Sequence, residues 1–123
     1  MQRPQEITRN FLAELDTHIA DIVSGKKEVF YEIHDFANIL CIHPVHLSNT
    51  VKETTGKSPC DHCEGKLAEQ AKNLLQTTDW TVAQVARRLT YDPPSFTKFF
   101  KKYLGLTPSQ YRSTCKKQVD IPA

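Results

Sequence analysis

Two short stretches hold the side chains best suited to chemistry. Cys60-Asp-His-Cys63 opens "CDHCEG" (60–65), and His43-Pro-Val-His46 forms "HPVH". CxxC and HxxH pairs that converge can hold zinc in a tetrahedral site. Here the histidine pair opens one expected helix and the cysteine pair opens the next, so about ten helical residues, ~15 Å, keep them apart. Plainer roles are at hand. His43 can cap its helix, and a thioredoxin-like use of CxxC needs a βαβ setting that this sequence lacks. Cys41 falls in a turn and Cys115 in the C-terminal tail. No metal and no cofactor is expected. Nor is an enzyme: there is no Ser/His/Asp arrangement in a recognisable context, no phosphate-cradling loop, and only 4 glycines in all.

The elements that position these residues can be read outward from composition. A chain of 123 residues, 39% hydrophobic, suits one domain or two small subdomains. No apolar run approaches the ~18 residues of a membrane span. The start, "MQRPQEITRN", lacks the apolar stretch of a signal peptide. A cytoplasmic protein without a membrane partner is expected, its four cysteines reduced. Net charge is only +2, but it is unevenly spread: residues 1–70 hold 7 Lys/Arg and 11 Asp/Glu, residues 71–123 hold 9 and 3. A basic C-terminal half suits a polyanion, although a solvated helix surface would look similar.

The strongest signal is an echo. "VKETTGKSP" (51–59) returns 49 residues later as "FKKYLGLTP" (100–108). Extended without a gap, "FANILCIHPVHLSNTVKETTGKSPCDH" (36–62) lies over "VARRLTYDPPSFTKFFKKYLGLTPSQY" (85–111). Ala37 falls on Ala86, Leu40 on Leu89, Pro44 on Pro93, Leu47 on Phe96, Val51 on Phe100 and Gly56 on Gly105. One structural unit is used twice.

Each unit reads as helix, three-residue turn, helix. In the second, Thr81-Val-Ala-Gln84 is a capping box. Val82, Val85, Ala86 and Leu89 follow as an apolar stripe at helical spacing. Asp92 can cap the next helix, with Pro93 and Pro94 in its first turn. Phe96 and Phe100 point inward, and Gly105 ends the helix. The first unit runs in parallel, with helices over 32–40 and 44–54. Three more helices surround the units: 5–24, 59–77 capped by Ser58, and one opened by a second capping box, Thr107-Pro-Ser-Gln110. No stretch alternates like a strand. The expected fold is all-α, a seven-helix bipartite domain of two helix-turn-helix subdomains, 1–57 and 79–118, joined by a linker helix over 58–78 and followed by a flexible tail, 119–123. The linker, at ~28 Å, is close to the ~34 Å between successive major-groove faces of B-DNA.

The segments "FANILCIHPVHLSNTVKETTGKSP", "AEQAKNLLQTTDWTVAQVARRL" and "FTKFFKKYLGLTPSQYR" resemble the DNA-binding domain of the AraC/XylS family of bacterial transcription regulators. The likeness covers about residues 7–115. It implies that the third and sixth helices read the major groove, that the fourth joins them, and that contact with RNA polymerase can activate transcription. In the family, the second turn has a glycine followed by an aromatic and is one residue longer than the first. Here Thr90-Tyr91 stands in that place and the turn is short. Threonine is poorly suited to positive φ, which predicts a different path for this turn and a displaced first turn of the sixth helix. Family members also commonly carry an effector-binding domain. None is expected in this chain, where only a few residues precede the first helix.

On the first reading helix, near 44–54, the face opposite Leu47 and Val51 presents Val45, His46, Ser48, Asn49 and Lys52. Asn49 can pair with adenine and Val45 can meet a thymine methyl. On the second, near 93–103, the outer face presents Ser95, Thr97, Lys98, Lys101 and Lys102. Lys98 suits guanine O6/N7, while Lys101 and Lys102 suit phosphates. Matching to the family puts Val45, Asn49, Ser95 and Lys98 at positions that face bases. Val45, His46, Ser48, Asn49, Ser95, Thr97 and Lys98 are thus the candidates for base contact. Lys52, Thr81, Lys101, Lys102 and Thr107 are those for phosphate, the two threonines because they head helices whose free N–H groups attract anions. The function read from these residues is sequence-specific binding of double-stranded DNA at two successive groove segments. The alternative is a helical protein-interaction module whose DNA reading has decayed, suggested by the absence of arginine from both reading helices.

Overall fold

The computed structural model describes residues 3–119, and side chains as far as Cys115. The remainder of the expected tail, 120–123, lies outside the described residues. Among those described, all regular structure is helical. The elements are α1 (Pro4–Ser24), α2 (Ile33–Leu40), α3 (Pro44–Thr55), α4 (Pro59–Thr77), α5 (Val82–Arg88), α6 (Pro93–Leu104) and α7 (Pro108–Val119). The chain divides into two compact units, and the boundary falls inside α4, between Lys66 and Leu67.

The first unit is built on α1. Its Ile7, Phe11, Leu15, Ile19 and Ile22 recur every three or four residues, so one stripe of the helix is buried. Phe36 and Ala37 of α2 and Leu47 and Val51 of α3 complete the core. Phe11 meets Phe36 edge to face, with ring centroids 5.4 Å apart. His18 is buried as well. Its ring stacks on Tyr31 at 3.8 Å, and its Nε2 accepts the Tyr31 N–H at 3.0 Å. Burial lowers its pKa, which keeps the imidazole neutral and able to accept that bond. Near the opposite end of α1, the Thr8 and Thr54 hydroxyls lie 2.6 Å apart and tie α1 to the last turn of α3.

The second unit packs Leu67, Ala68, Ala71, Leu74 and Leu75 of α4 with Val85, Ala86 and Leu89 and with Phe96, Phe99 and Phe100 of α6. Phe100 meets Tyr111 of α7 edge-on at 5.6 Å, and Tyr111 also accepts a hydrogen bond from the Gln76 amide. Arg112 closes the end of α4. Its Nε donates to the Leu75 carbonyl at 3.2 Å and its Nη2 to that of Thr78 at 3.3 Å. Those carbonyls would otherwise lack partners at a helix end.

The echo in the sequence is also an echo in hydrogen bonds. At the first turn Cys41 N–H donates to the Asn38 carbonyl and Ile42 N–H to that of Ala37; at the second, Thr90 donates to Arg87 and Tyr91 to Ala86. The next helix is capped by His43 in one unit and Asp92 in the other. It is stopped by Gly56 and Gly105, at φ of 79° and 75°. Ser58 and Asp61 then exchange capping bonds at the head of α4, as Thr107 and Gln110 do at the head of α7.

The second turn departs from expectation. Thr90 takes φ 72°, the left-handed conformation that its β-branched side chain disfavours, and Cys41 takes φ 60° at the matching place. The reason is the bond pair just described. Two N–H groups reach back to the carbonyls of the helix's last turn only when the residue at the corner turns left-handed. The turn therefore follows the same path as its partner and delivers Asp92 and Pro93 in the same register as His43 and Pro44. Holding a non-glycine residue there costs about 1–2 kcal/mol. Replacing Thr90 with glycine is expected to stabilise the chain by about 0.5–1 kcal/mol, after the added freedom of glycine in the unfolded state. Urea unfolding of Thr90→Gly measures this, and an unchanged or lower midpoint would count against strain at the corner.

Candidate nucleic-acid interface

Each reading helix buries three positions, one more than the sequence suggested. In α3 these are Leu47, Thr50 and Val51; in α6 they are Phe96, Phe99 and Phe100. Thr50 and Phe99 occupy the same place in the repeat, three residues after Leu47 and Phe96, so helical spacing alone could have found them. Phe99 lies face to face with Tyr91, ring centroids 4.8 Å apart, so the aromatic of the short turn braces α6 from outside its own helix.

With those faces buried, the opposite faces are fixed. On α3, Val45, His46, Asn49 and Lys52 are exposed and Ser48 is half-buried. Val45, at 59% exposed, is an apolar side chain in water at the second position of a helix. On α6, Ser95, Lys98, Lys101 and Lys102 are exposed. Thr97 is half-buried and its hydroxyl donates to the Pro93 carbonyl at 3.1 Å, which leaves it only as an acceptor. The repeat pairs His46 with Ser95, Asn49 with Lys98 and Lys52 with Lys101. It also pairs Glu53 with Lys102, and Glu53 is exposed beside Lys52. This carboxylate carries no motif that marks it in the sequence. A glutamate next to the last lysine of α3 lowers the positive potential there relative to Lys101 and Lys102 in the last turn of α6.

Capping chemistry sets how each helix begins. His43 Nδ1 accepts the Val45 N–H at 3.1 Å, and Asp92 Oδ2 accepts the Ser95 N–H at 3.2 Å. The hydroxyl and N–H of Ser95 hold the Asp92 carboxyl below its ordinary pKa, with a smaller contribution from Lys98. Thr81 and Thr107 are engaged too. Their hydroxyl oxygens accept from Gln84 and Gln110 N–H at 3.1 and 3.2 Å, and their own N–H groups donate back to those glutamine side chains. What each threonine retains for a phosphate is its hydroxyl hydrogen.

The cysteines and histidines of the HxxH and CxxC pairs lie in separate settings. Cys41, Cys60, Cys63 and Cys115 are free thiols. His43 is committed to its cap, and His62 Nε2 lies 2.9 Å from the Thr55 hydroxyl. Among the described residues no three His, Cys, Asp or Glu side chains gather as a metal site, and no helix is long and apolar enough to cross a membrane.

Two units in which a short helix and a tight left-handed turn present a second helix, polar on its outward face, define a helix-turn-helix DNA-binding domain. A family described as a helix-turn-helix domain matches residues 36–114. The arabinose operon regulatory protein of Escherichia coli (strain K12) is 33% identical over 112 residues, 90% of this chain and 37% of that protein. Its counterpart in Salmonella typhimurium is 28% identical over 121 residues, 94% of this chain and 43% of that one. The chain thus spans about two fifths of the length of the curated relatives it matches. Among solved structures, the C-terminal domain of AraT, a response regulator from Geobacillus stearothermophilus, shares the fold with a TM-score of 0.79 at 27% identity, over 92% of this chain and 88% of that one. The DNA-binding domain of AdpA, a global transcriptional factor solved in complex with a target DNA, does so with a TM-score of 0.70 at 22% identity, over 82% and 95%. The chain belongs to the AraC/XylS family of transcription regulators, and what it carries is that family's DNA-binding helix-turn-helix domain.

The Asp92 cap has a pH signature. A carboxyl whose folded pKa is depressed contributes stability that is complete above its unfolded value near 3.8 and is lost as pH falls through the lower folded value. Asp92→Asn keeps an oxygen for the Ser95 N–H but cannot titrate. It is expected to lose less stability than the parent chain on acidification below pH ~4, measured by thermal unfolding across that range. Equal losses would mean the carboxylate charge adds nothing to the cap.

Proposed function

We propose that this chain reads a bipartite site on double-stranded DNA, α3 and α6 each entering one of two successive major-groove segments, and that it controls transcription by doing so. The observation that carries the reading is the shared register of the two units. The same bonds fix the start of each reading helix, and the same positions, Asn49 and Lys98, stand at the centre of each outward face. Asn49 takes the adenine edge, Lys98 the guanine edge, and Val45 a thymine methyl; His46, Ser48, Ser95 and Thr97 flank them. Lys52, Lys101 and Lys102 anchor phosphates, with Thr81 and Thr107 at two further helix starts. The boundary between the units falls within α4, a single helix of 19 residues. The chain acts by binding, without a reaction of its own, in the cytoplasm and with RNA polymerase as the downstream partner.

Selection from a random duplex pool tests this directly. Two enriched blocks about one helical turn apart are expected. One block would mean that a single unit reads. No enrichment, with weak binding that vanishes as salt rises, would favour the protein-interaction module suggested by the lack of arginine in α3 and α6. On the selected duplex, Asn49→Ala and Lys98→Ala should each cost about 1–3 kcal/mol and relax preference in one block only. A cost without relaxed preference would move that residue to the phosphate class. Lys101→Ala should weaken all duplexes alike and lower the salt slope by about 1. An unchanged slope would remove Lys101 from the backbone contacts.

A further inference from the structure

The DNA-reading framework leaves Cys60 and Cys63 without a role. We propose that the pair is a dithiol modification site, closed by thiol oxidants into a Cys60–Cys63 disulfide that distorts the head of α4 and weakens the grip of α3 on DNA. For its DNA readout this rests on the function proposed above; for the bridge itself it rests on the helix alone.

Both cysteines belong to the first unit and sit three residues apart in the first two turns of α4. The pair is asymmetric. Cys60 is exposed, so a dissolved oxidant reaches it first, and Cys63 is half-buried. Burial, then the neighbouring Cys60 and Glu64, push the Cys63 thiol up to about 12, so it resists direct oxidation and must give up its proton as the S–S bond closes. Residues three apart on a helix have Cβ atoms about 5–6 Å apart, and a disulfide requires about 3.5–4.5 Å. The bridge is within reach, but only if the turn tightens by roughly 1–2 Å.

The chemistry balances with a peroxide or a disulfide as oxidant. Peroxide takes the Cys60 sulfur to the sulfenic acid and leaves as water. The Cys63 sulfur then forms the S–S bond, the sulfenic hydroxyl departs, and the Cys63 proton joins it to give a second water. With a small disulfide oxidant, Cys60 forms the mixed disulfide, Cys63 displaces the remaining thiol, and two thiols are released. A bridge that strains its turn is readily reduced, which suits a reversible device in a reducing compartment.

What the tightened turn would disturb is visible. It holds the Ser58–Asp61 capping bonds, at 3.2 and 3.4 Å, and it carries His62, whose Nε2 lies 2.9 Å from the Thr55 hydroxyl. Thr55 is the last residue of α3, and its hydroxyl also reaches the Val51 carbonyl at 2.7 Å. Further along, Lys66 Nζ meets Asp16 Oδ1 of α1 at 2.5 Å. The head of α4 is therefore bonded to the end of the first reading helix.

Diamide treatment of the whole chain, followed by alkylation and trypsin digestion, tests the bridge. Cleavage after Lys57 and Lys66 isolates 58–66 with both cysteines. The expected product is that peptide lacking two hydrogens and taking up no alkyl group. Affinity for the selected duplex should fall roughly tenfold, a change consistent with strain at the helix head, and return with dithiothreitol. Cys63→Ser should hold its affinity through the same treatment. Two alkyl groups on the peptide, or a bridge to Cys41 or Cys115 instead, would overturn the site. A bridge that forms while affinity stays constant would overturn its effect on α3. If the reduced chain selects no duplex at all, the DNA reading fails separately, and the peptide mass together with the unfolding temperature of the oxidised chain still decides the bridge.

Discussion

Where each reading helix begins is set by one backbone bond, from Ile42 N–H to the Ala37 carbonyl in the first unit and from Tyr91 N–H to that of Ala86 in the second. The bond reaches five residues back, so the corner residue must turn left-handed and the chain must leave the first helix at a steep angle. Ala37 and Ala86 are both fully buried at this point, and their small side chains let the second helix close over the turn. From that corner everything else follows in order: the cap two residues on, the inward triplet, the terminating glycine and the next capping box. The core holds the helices together, but the corner decides which faces they turn outward.

The sequence revealed this plan to the extent that it is written in residue types. Pro44 and Pro93, Gly56 and Gly105, and the boxes at Thr81 and Thr107 are local signals. Each acts through bonds to residues at most three or four away, so each could be read without the fold. The inward pairs Leu47/Val51 and Phe96/Phe100 were legible for the same reason. Thr50 was legible only through its place in the repeat opposite Phe99, because a threonine gives no hydrophobic signal of its own for its burial at 4% exposure. His18 was hidden. Its neutral, bond-accepting state comes from Tyr31 and Phe36, which reach it from beyond the end of α1.

The misreading at Thr90 is the more instructive. Local preference argued against a left-handed threonine, and local preference was overruled. Two backbone bonds and the stacking of Tyr91 on Phe99 hold the corner against a cost of about 1–2 kcal/mol. The candidate base-contacting residues sit at the other extreme. Their exposure follows from the burial of the opposite face, but nothing inside the protein fixes which base each would choose. That choice belongs to the partner, and side chains facing solvent record little of it.

The bonds that shape the two units run between backbone groups and capping side chains, and they leave the side chains of Val45, His46, Asn49, Lys52 and Lys101 structurally idle. Substitutions at such positions usually shift folding stability by no more than about 0.5 kcal/mol. Descendants of this chain can therefore change what they recognise without first becoming less foldable. Because the framework is written twice, on the bipartite reading proposed above one half could wander through new preferences while the other kept the molecule seated. Such an architecture makes the drift of a regulator from one operator to another a gradual path rather than a leap.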